Sequence, residues 1–427
     1  KTSLLAGFVL AAANLCAQTS SGTANPPAKP AENNPTWGIK FSGFVRNDVM
    51  YDTRQTVNAR EGELLLYPAD IANDSQGLDK NATPTFGMLA ITSRLSGTIT
   101  GPDAFGAKTS GIFEAEFFGN GNGAAEIDLF RLRHAYAKLD WEKTQLAFGQ
   151  YWHPLFSTDC FPGVLSFNTG MPFQPFSRNP QVRLTQKLGK EFSLIVAALS
   201  QRDFTSTAPA SNTSATDVSR NAAVPNLHGQ LQYKGKTWVV GTALDWKSLR
   251  PTLTNGSPAV VTKENVSSLA FETYVKLTTK GAIFKAEYVN GQNMTDHLML
   301  GGYVAYNGTA ANATYKPTNV TSMWFEIAGT TKKVIPGLFI GYTKNNGAKD
   351  ANATNAYARA TPVSGRGIDH IFRVAPRMEF VSGKFKMGTE LELTTAAYGT
   401  ANTQAKITGA TDKVTNTRFL FLTSYSF

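Results

Sequence analysis

From Trp37 to Phe427 the chain repeats one unit: a run of alternating apolar and polar residues, a short turn, a second such run, then a longer polar connection. Strand side chains point to opposite faces with a period of two, so each run offers one face to an apolar medium and one to water. Near the start, Ile39, Phe41, Val45, Val49 and Tyr51 oppose Lys40, Ser42, Arg46 and Asp48. Near 85–100, Leu89, Ile91, Leu95 and Ile99 oppose Thr92, Arg94, Ser96 and Thr98, and after a turn at 101–103 Glu114 and Glu116 project together. Further runs fall near 128–140, 144–154, 181–188, 191–202, 224–234, 236–248, 266–278, 282–292, 318–331, 337–345, 369–381, 384–397 and 415–427. The total is about sixteen, an even number as bacterial barrels require.

The connections separate into two sets. Short turns lie near 101–106, 140–143, 188–190, 234–236, 279–281, 332–337 and 382–383. Long segments lie near 54–84, 119–127, 156–180, 203–222, 249–265, 293–317, 346–368 and 398–414. A secreted sandwich of this length would split into domains with turns of mixed length. The expected fold is therefore all-β, a transmembrane antiparallel β-barrel over 37–427 with short periplasmic turns and long extracellular loops.

No window after residue 17 approaches the ~20 apolar residues of a membrane-spanning helix. The mean hydropathy of −0.21 does not argue against a barrel, because alternate residues of such strands face water. Residues 1–17, apolar from Leu4 to Leu15 and ending at Ala17, read as an export signal. Residues 18–36, with Pro26, Pro27, Pro30 and Pro35, read as a periplasmic tether too short and polar for a plug. Cys160 is then alone, so no intrachain disulfide is expected. Phe419, Phe421, Tyr425 and Phe427 share one face of the last run, which leads to an outer-membrane location with lipid and lipopolysaccharide as surroundings.

Glu114-Ala115-Glu116-Phe117-Phe118-Gly119, Arg131-Leu132-Arg133-His134-Ala135-Tyr136 and Gly149-Gln150-Tyr151-Trp152 carry a likeness to a known family. The segment resembles the DcaP-like porins, trimeric outer-membrane channels related to the phosphate-selective porins. The resemblance implies a homotrimer and passive diffusion of small anions, dicarboxylates included, through a basic constriction. It also implies that a terminal aromatic, here Phe427, is read by the barrel assembly machinery. A coiled-coil segment found in some relatives has no counterpart in the Pro-rich stretch 18–36.

The residues themselves point to a charged lumen. Arg46, Arg94, Arg131, Arg133, Arg183, Arg373 and Arg377 fall opposite the apolar stripe, where an arginine avoids the cost of a few kcal/mol that lipid imposes. Together with a formal net charge of +10, this suggests anionic solutes. Each arginine is equally open to pairing with acids on adjacent strands: Glu114 and Glu116 near Arg131 and Arg133, and Glu379, Glu390 and Glu392 near Arg373 and Arg377. Arg46 and Arg94 have fewer acids nearby in sequence and are the favoured pore charges.

The segment 156–180, carrying Phe156, Phe161, Phe167, Phe173 and Phe176, is too aromatic to stand in water and is expected to fold against the inner wall as a constriction, with Arg178 at its end. A trimer contact outside the lumen is the other reading of that segment. His134, His153, His228, His297 and His370 are scattered, and none has metal-ligand spacing. His134 shares a face with Leu132 and Tyr136 and reads as an interface residue. No enzyme, cofactor, metal or nucleic-acid role is expected; a phosphate-selective porin with a true arginine ladder is the runner-up channel, and a structural or adhesive barrel with a closed lumen is the alternative to a channel.

Overall fold

The structure is a computed structural model and describes residues 37–119, 129–256, 258–306 and 313–427. The export signal and tether assigned to 1–36 lie outside the described residues, as does most of the connection at 119–127.

Sixteen antiparallel strands close into one barrel. They are β1 Gly38–Asp52; β2, in two pieces, Thr85–Leu89 and Arg94–Thr100; β3 Lys108–Glu116; β4 Arg131–Asp140; β5 Thr144–Trp152; and β6 Arg178–Leu188. Then come β7 Phe192–Leu199, β8 Asn226–Lys234, β9 Trp238–Leu249, β10 Val266–Thr278 and β11 Ala282–Gln292. The circuit ends with β12 Thr314–Gly329, β13 Val334–Ala348, β14 Arg366–Ser382, β15 Phe385–Ala401 and β16 Ile407–Ser426. Strand β1 closes the ring, pairing with β16 from Phe44↔Ser426 to Asp52↔Arg418 and with β2 on its other edge. Phe427 completes the seam by exchanging backbone hydrogen bonds with Gly43 at 3.0 and 3.3 Å.

The period of two fixes what each face holds. Outward residues such as Phe41, Phe113, Leu194, Phe271, Phe325 and Phe421 stay exposed and make an apolar belt. A water-soluble surface does not carry so continuous an apolar band, whereas a barrel in lipid needs one. Inward residues are charged, polar or packed: Glu272 and Tyr274 on β10, Trp324 and Glu326 on β12, Arg373 and Arg377 on β14.

Three details depart from the alternation read in the sequence. Strand β2 breaks at 90–93, where Ser93 N–H donates to Ala90 O, and this turn sends Ile91 into the interior and leaves Leu89 packed on the inner cluster. Between Glu114 and Ala115 the β3–β4 register slips, so that Arg133 and His134 both face inward; the placement of His134 with Leu132 on the outside is corrected. The connection expected at 398–414 shrinks to 402–406, because β15 and β16 run on above the other strands.

Among the described residues, the connections at 56–68 and 153–177 enter the barrel, and Met294, Leu298, Met299 and Leu300 of a third pack on the same inner cluster. A hairpin made by Thr56–Ala59 and Leu64–Pro68 buries Leu64, Leu65, Leu66 and Tyr67. The segment 153–177 buries Phe156, Cys160, Met171, Phe173 and Phe176 against Tyr274, Trp324, Phe339 and Ile371 of the wall. The apolar core thus lies inside the ring and is built from loops.

Candidate functional site

The charged interior begins at the segment 153–177, because its backbone is tied to the far wall. Glu390 accepts from Leu165 N–H at 2.7 Å and Ser166 N–H at 3.1 Å, and Glu326 accepts from Gly163 N–H at 2.8 Å. Arg46 donates to Leu165 O at 2.7 Å, Lys285 to Phe161 O at 2.9 Å, Arg373 to Met171 O at 2.7 Å, and Ser322 Oγ to Phe173 O at 2.7 Å. Buried backbone polar groups need such partners, and here the wall's polar side chains provide them. A Cβ at Gly163 would stand 2.7 Å from Glu326 Oε1 and 2.8 Å from Arg377 Nη2, so a larger residue there would push these two side-chain ends aside.

Most interior arginines are neutralised. Arg46 makes a two-pronged pair with Asp48 at 2.6 and 2.7 Å, and Arg94 lies 2.9 Å from Glu116. The expectation that these two, with fewer acids nearby in sequence, are the favoured free pore charges is therefore corrected. Asp48 follows Arg46 by two residues on the same face, and the hairpin register sets Arg94 directly opposite Glu116. Glu116 also receives Arg131 at 2.6 Å and Arg133 at 2.7 Å, while Glu114 takes Arg133 at 2.8 Å. Arg178 pairs with Asp203 at 2.7 Å and lies over Trp152 at 4.6 Å. Arg373 pairs with Glu392 at 2.9 Å and also donates to Leu66 O at 3.0 Å, bracing the hairpin. Arg377 bridges Glu326 and Glu379 at 2.5 and 3.2 Å. Glu390 meets no arginine in an ion pair among the described residues and holds loop backbone instead.

Arg183 is the exception in this set. Its guanidinium donates to Gln181 Oε1 at 2.9 Å and to Trp152 O at 2.5 Å, and lies 5.2 Å from the Tyr151 ring. Together with Lys138, Tyr136 and Tyr151 it lines a recess of about 90 Å³. Neither Arg183 nor Lys138 forms an ion pair among the described residues.

Other interior charges escaped the sequence reading. Arg418 on β16 pairs with Asp52 at 2.7 Å and donates to Gly62 O at 2.8 Å, and Lys285 pairs with Glu326 at 3.1 Å. The signal for Arg418 lay in the last strand's alternation, which sets it opposite Phe419 and Phe421. His134 packs on Tyr151 and Trp152 with centroids 5.0 and 5.5 Å away, 3.6 Å from Glu114.

Below the segment lies a cavity of about 440 Å³, lined by Arg46, Arg94, Arg133, Glu114, Tyr136 and Trp152 among others. A ring of strands with an apolar outside, a charged inside and a loop laid across the interior limits the architecture to one class. The chain has the porin fold. It superposes on the outer membrane channel DcaP of Acinetobacter baumannii with a TM-score of 0.66 at 16% identity, covering 93% of this chain and 99% of that one. An anion-selective porin from Comamonas acidovorans matches with a TM-score of 0.53 at 13% identity, over 92% of this chain and all of that one. OmpT of Vibrio cholerae, expressed in the outer membrane, matches with a TM-score of 0.52 at 13% identity, over 93% and 99%. No family model matches the sequence, and no curated protein matches it. In this porin fold the guanidinium groups and the laid-in segment occupy the interior of the ring.

Proposed function

We propose that the chain is an outer-membrane porin of the DcaP-like kind, a homotrimer that passes small hydrophilic, preferentially anionic solutes such as dicarboxylates by passive diffusion. The cavity against the laid-in segment carries this reading: Arg46, Arg94 and Arg133 line it among aromatic rings, and with Arg60, Arg131 and Arg178 they share four carboxylates, Asp48, Glu114, Glu116 and Asp203, which leaves an excess of positive charge in a ring wide enough for an aqueous channel. Fixed positive charge in a narrow low-dielectric passage raises the local anion concentration and replaces part of the hydration shell. Arg131, Arg178, Arg183, Arg373 and Arg377 extend the field, and the segment 156–180 serves as the constriction. The likeness to a DcaP channel and to an anion-selective porin supports it. Lipid and lipopolysaccharide surround the belt, the assembly machinery reads Phe427, and no enzymatic step is involved. Neutralisation of most arginines by carboxylates weighs against a continuous phosphate-selective ladder.

Planar-bilayer recording tests this. Steady single-channel conductance with a reversal potential favouring chloride in a potassium chloride gradient is expected. The second reading, a closed adhesive barrel, draws on the connections that pack inside the ring. It predicts no steady conductance from folded protein.

A further inference from the structure

The reading of the histidines as scattered is corrected by the fold, which gathers three of them on one side of the interior. His153, just past β5, His228 on β8 and Asp245 on β9 offer ligand atoms that all lie within 4.8 Å of one another. Each of the three is at most 3% exposed. Asp245 Oδ2 stands 3.4 Å from His153 Nε2 and 3.3 Å from His228 Nδ1. Two ligands about 2.0–2.1 Å from a tetrahedral ion are about 3.3–3.4 Å apart, so both spacings fit edges of one coordination tetrahedron.

The surroundings select the same reading. His228 Nε2 lies 3.3 Å from Gln230 Oε1, which can only accept there; this places the neutral ring's proton on Nε2 and turns the Nδ1 lone pair towards the Asp245 carboxylate. Two lone pairs facing each other at that distance need a proton or a cation between them. His153 Nε2 and, on the neighbouring connection, His297 Nδ1 are buried with no hydrogen-bond partner, and their rings stand 4.5 Å apart between centroids. Lys247, an ammonium on β9 two residues past Asp245, is taken up by Asp296. Buried polar nitrogens left unmade in this way mark a missing partner.

We propose that His153, His228 and Asp245 form a site for a divalent first-row transition ion of the zinc type, its fourth position on the side of the His297 ring. Two imidazoles and one carboxylate suit zinc, cobalt, nickel or copper and not magnesium or calcium, which require oxygen. Coordination through His153 Nε2 puts that ring's proton on Nδ1, so the 3.2 Å contact from Leu155 N–H is given up on binding. The ion would tie the root of segment 153–177 to the β8–β9 wall.

The test uses the full chain folded in detergent and stripped with EDTA, with Zn²⁺ supplied both during folding and afterwards because the site is enclosed. Equilibrium dialysis with elemental analysis should find one Zn²⁺ per chain at micromolar free ion, and binding at least about tenfold weaker in His228→Gln and Asp245→Asn. Equal binding by wild type and both variants overturns the site. Should the variants fail to show the heat-modifiable mobility of a folded barrel, Co²⁺ added to the wild type decides. Intense visible d–d absorption of a tetrahedral nitrogen and oxygen site supports the proposal, and its absence at saturating Co²⁺ overturns it.

Discussion

Replacing an interior arginine has opposite consequences according to what the guanidinium touches. Arg46 holds Asp48, which is fully buried and, among the described residues, otherwise accepts a side-chain hydrogen bond from Thr92 Oγ1 alone, at 3.2 Å. Removing one partner of a buried pair costs about 3–5 kcal/mol because the other charge is left uncompensated. Arg46→Ala should accordingly lower the temperature at which the folded, fast-migrating form is lost, and an unchanged temperature would remove that pair from the stability account. Arg183 has no carboxylate to strand among the described residues, so Arg183→Ala combined with Lys138→Ala should fold normally and shift the reversal potential towards cations. The shift should be largest at low salt, since screening sets in over about 8 Å at physiological ionic strength. Wild-type selectivity in that double variant would move the charge filter elsewhere. The partner of Arg46 was legible in the sequence, two places along the same face, whereas the solitude of Arg183 was not: it depends on which strands bring no acid alongside.

At the scale of elements, segment 153–177 is held by few contacts of high value. Glu390 accepts two of its backbone N–H groups, so Glu390→Ala should loosen the segment and raise single-channel conductance. A second route is steric. At Gly341 a Cβ would fall 2.5 Å from the Phe173 ring, so Gly341→Val should drive Phe173 off β13 at a cost of about 1–3 kcal/mol. Conductance unchanged in both variants would show that the segment does not limit flow. Five phenylalanines in one connection are enough to mark this segment as a buried loop. The hairpin at 56–68 carries an equally plain sign, the run Leu64-Leu65-Leu66-Tyr67 inside a supposedly polar connection, yet its destination depends on Arg373 and Arg418 reaching it from strands more than three hundred positions away in sequence.

At the scale of the whole molecule, the alternation and the two lengths of connection were enough to read the ring, its strand number and its two rims. What they hid were features made by distant strands meeting, such as His153, His228 and Asp245, and features made by breaks in phase, such as Ile91. The outside and inside of the wall should respond differently to the same substitution. Phe325→Arg, on the belt, should cost about 2–4 kcal/mol if it lies near the midplane of the bilayer, while Thr185→Arg, on the inner face beside Arg183, should cost little. Urea titration in lipid vesicles reads both, and equal losses would contradict the assignment of faces.

The slip between Glu114 and Ala115 pairs Glu114 with His134 and Ala115 with Leu132 and leaves Arg133 out of the ladder, so the pair Arg133-His134 gives β4 one residue more than β3 there. A chain shortened by His134 keeps Arg131 and Arg133 inside and Tyr136 and Lys138 on the face they already occupy. Shortening by Ala137 instead inverts one half of the strand and brings either Lys138 or Tyr136 round to the lipid side. The wall therefore has a place where its length is negotiable, flanked by positions where it is not. A scan of single-residue deletions along 131–140 should find folded barrel recovered at His134 and lost at Ala137.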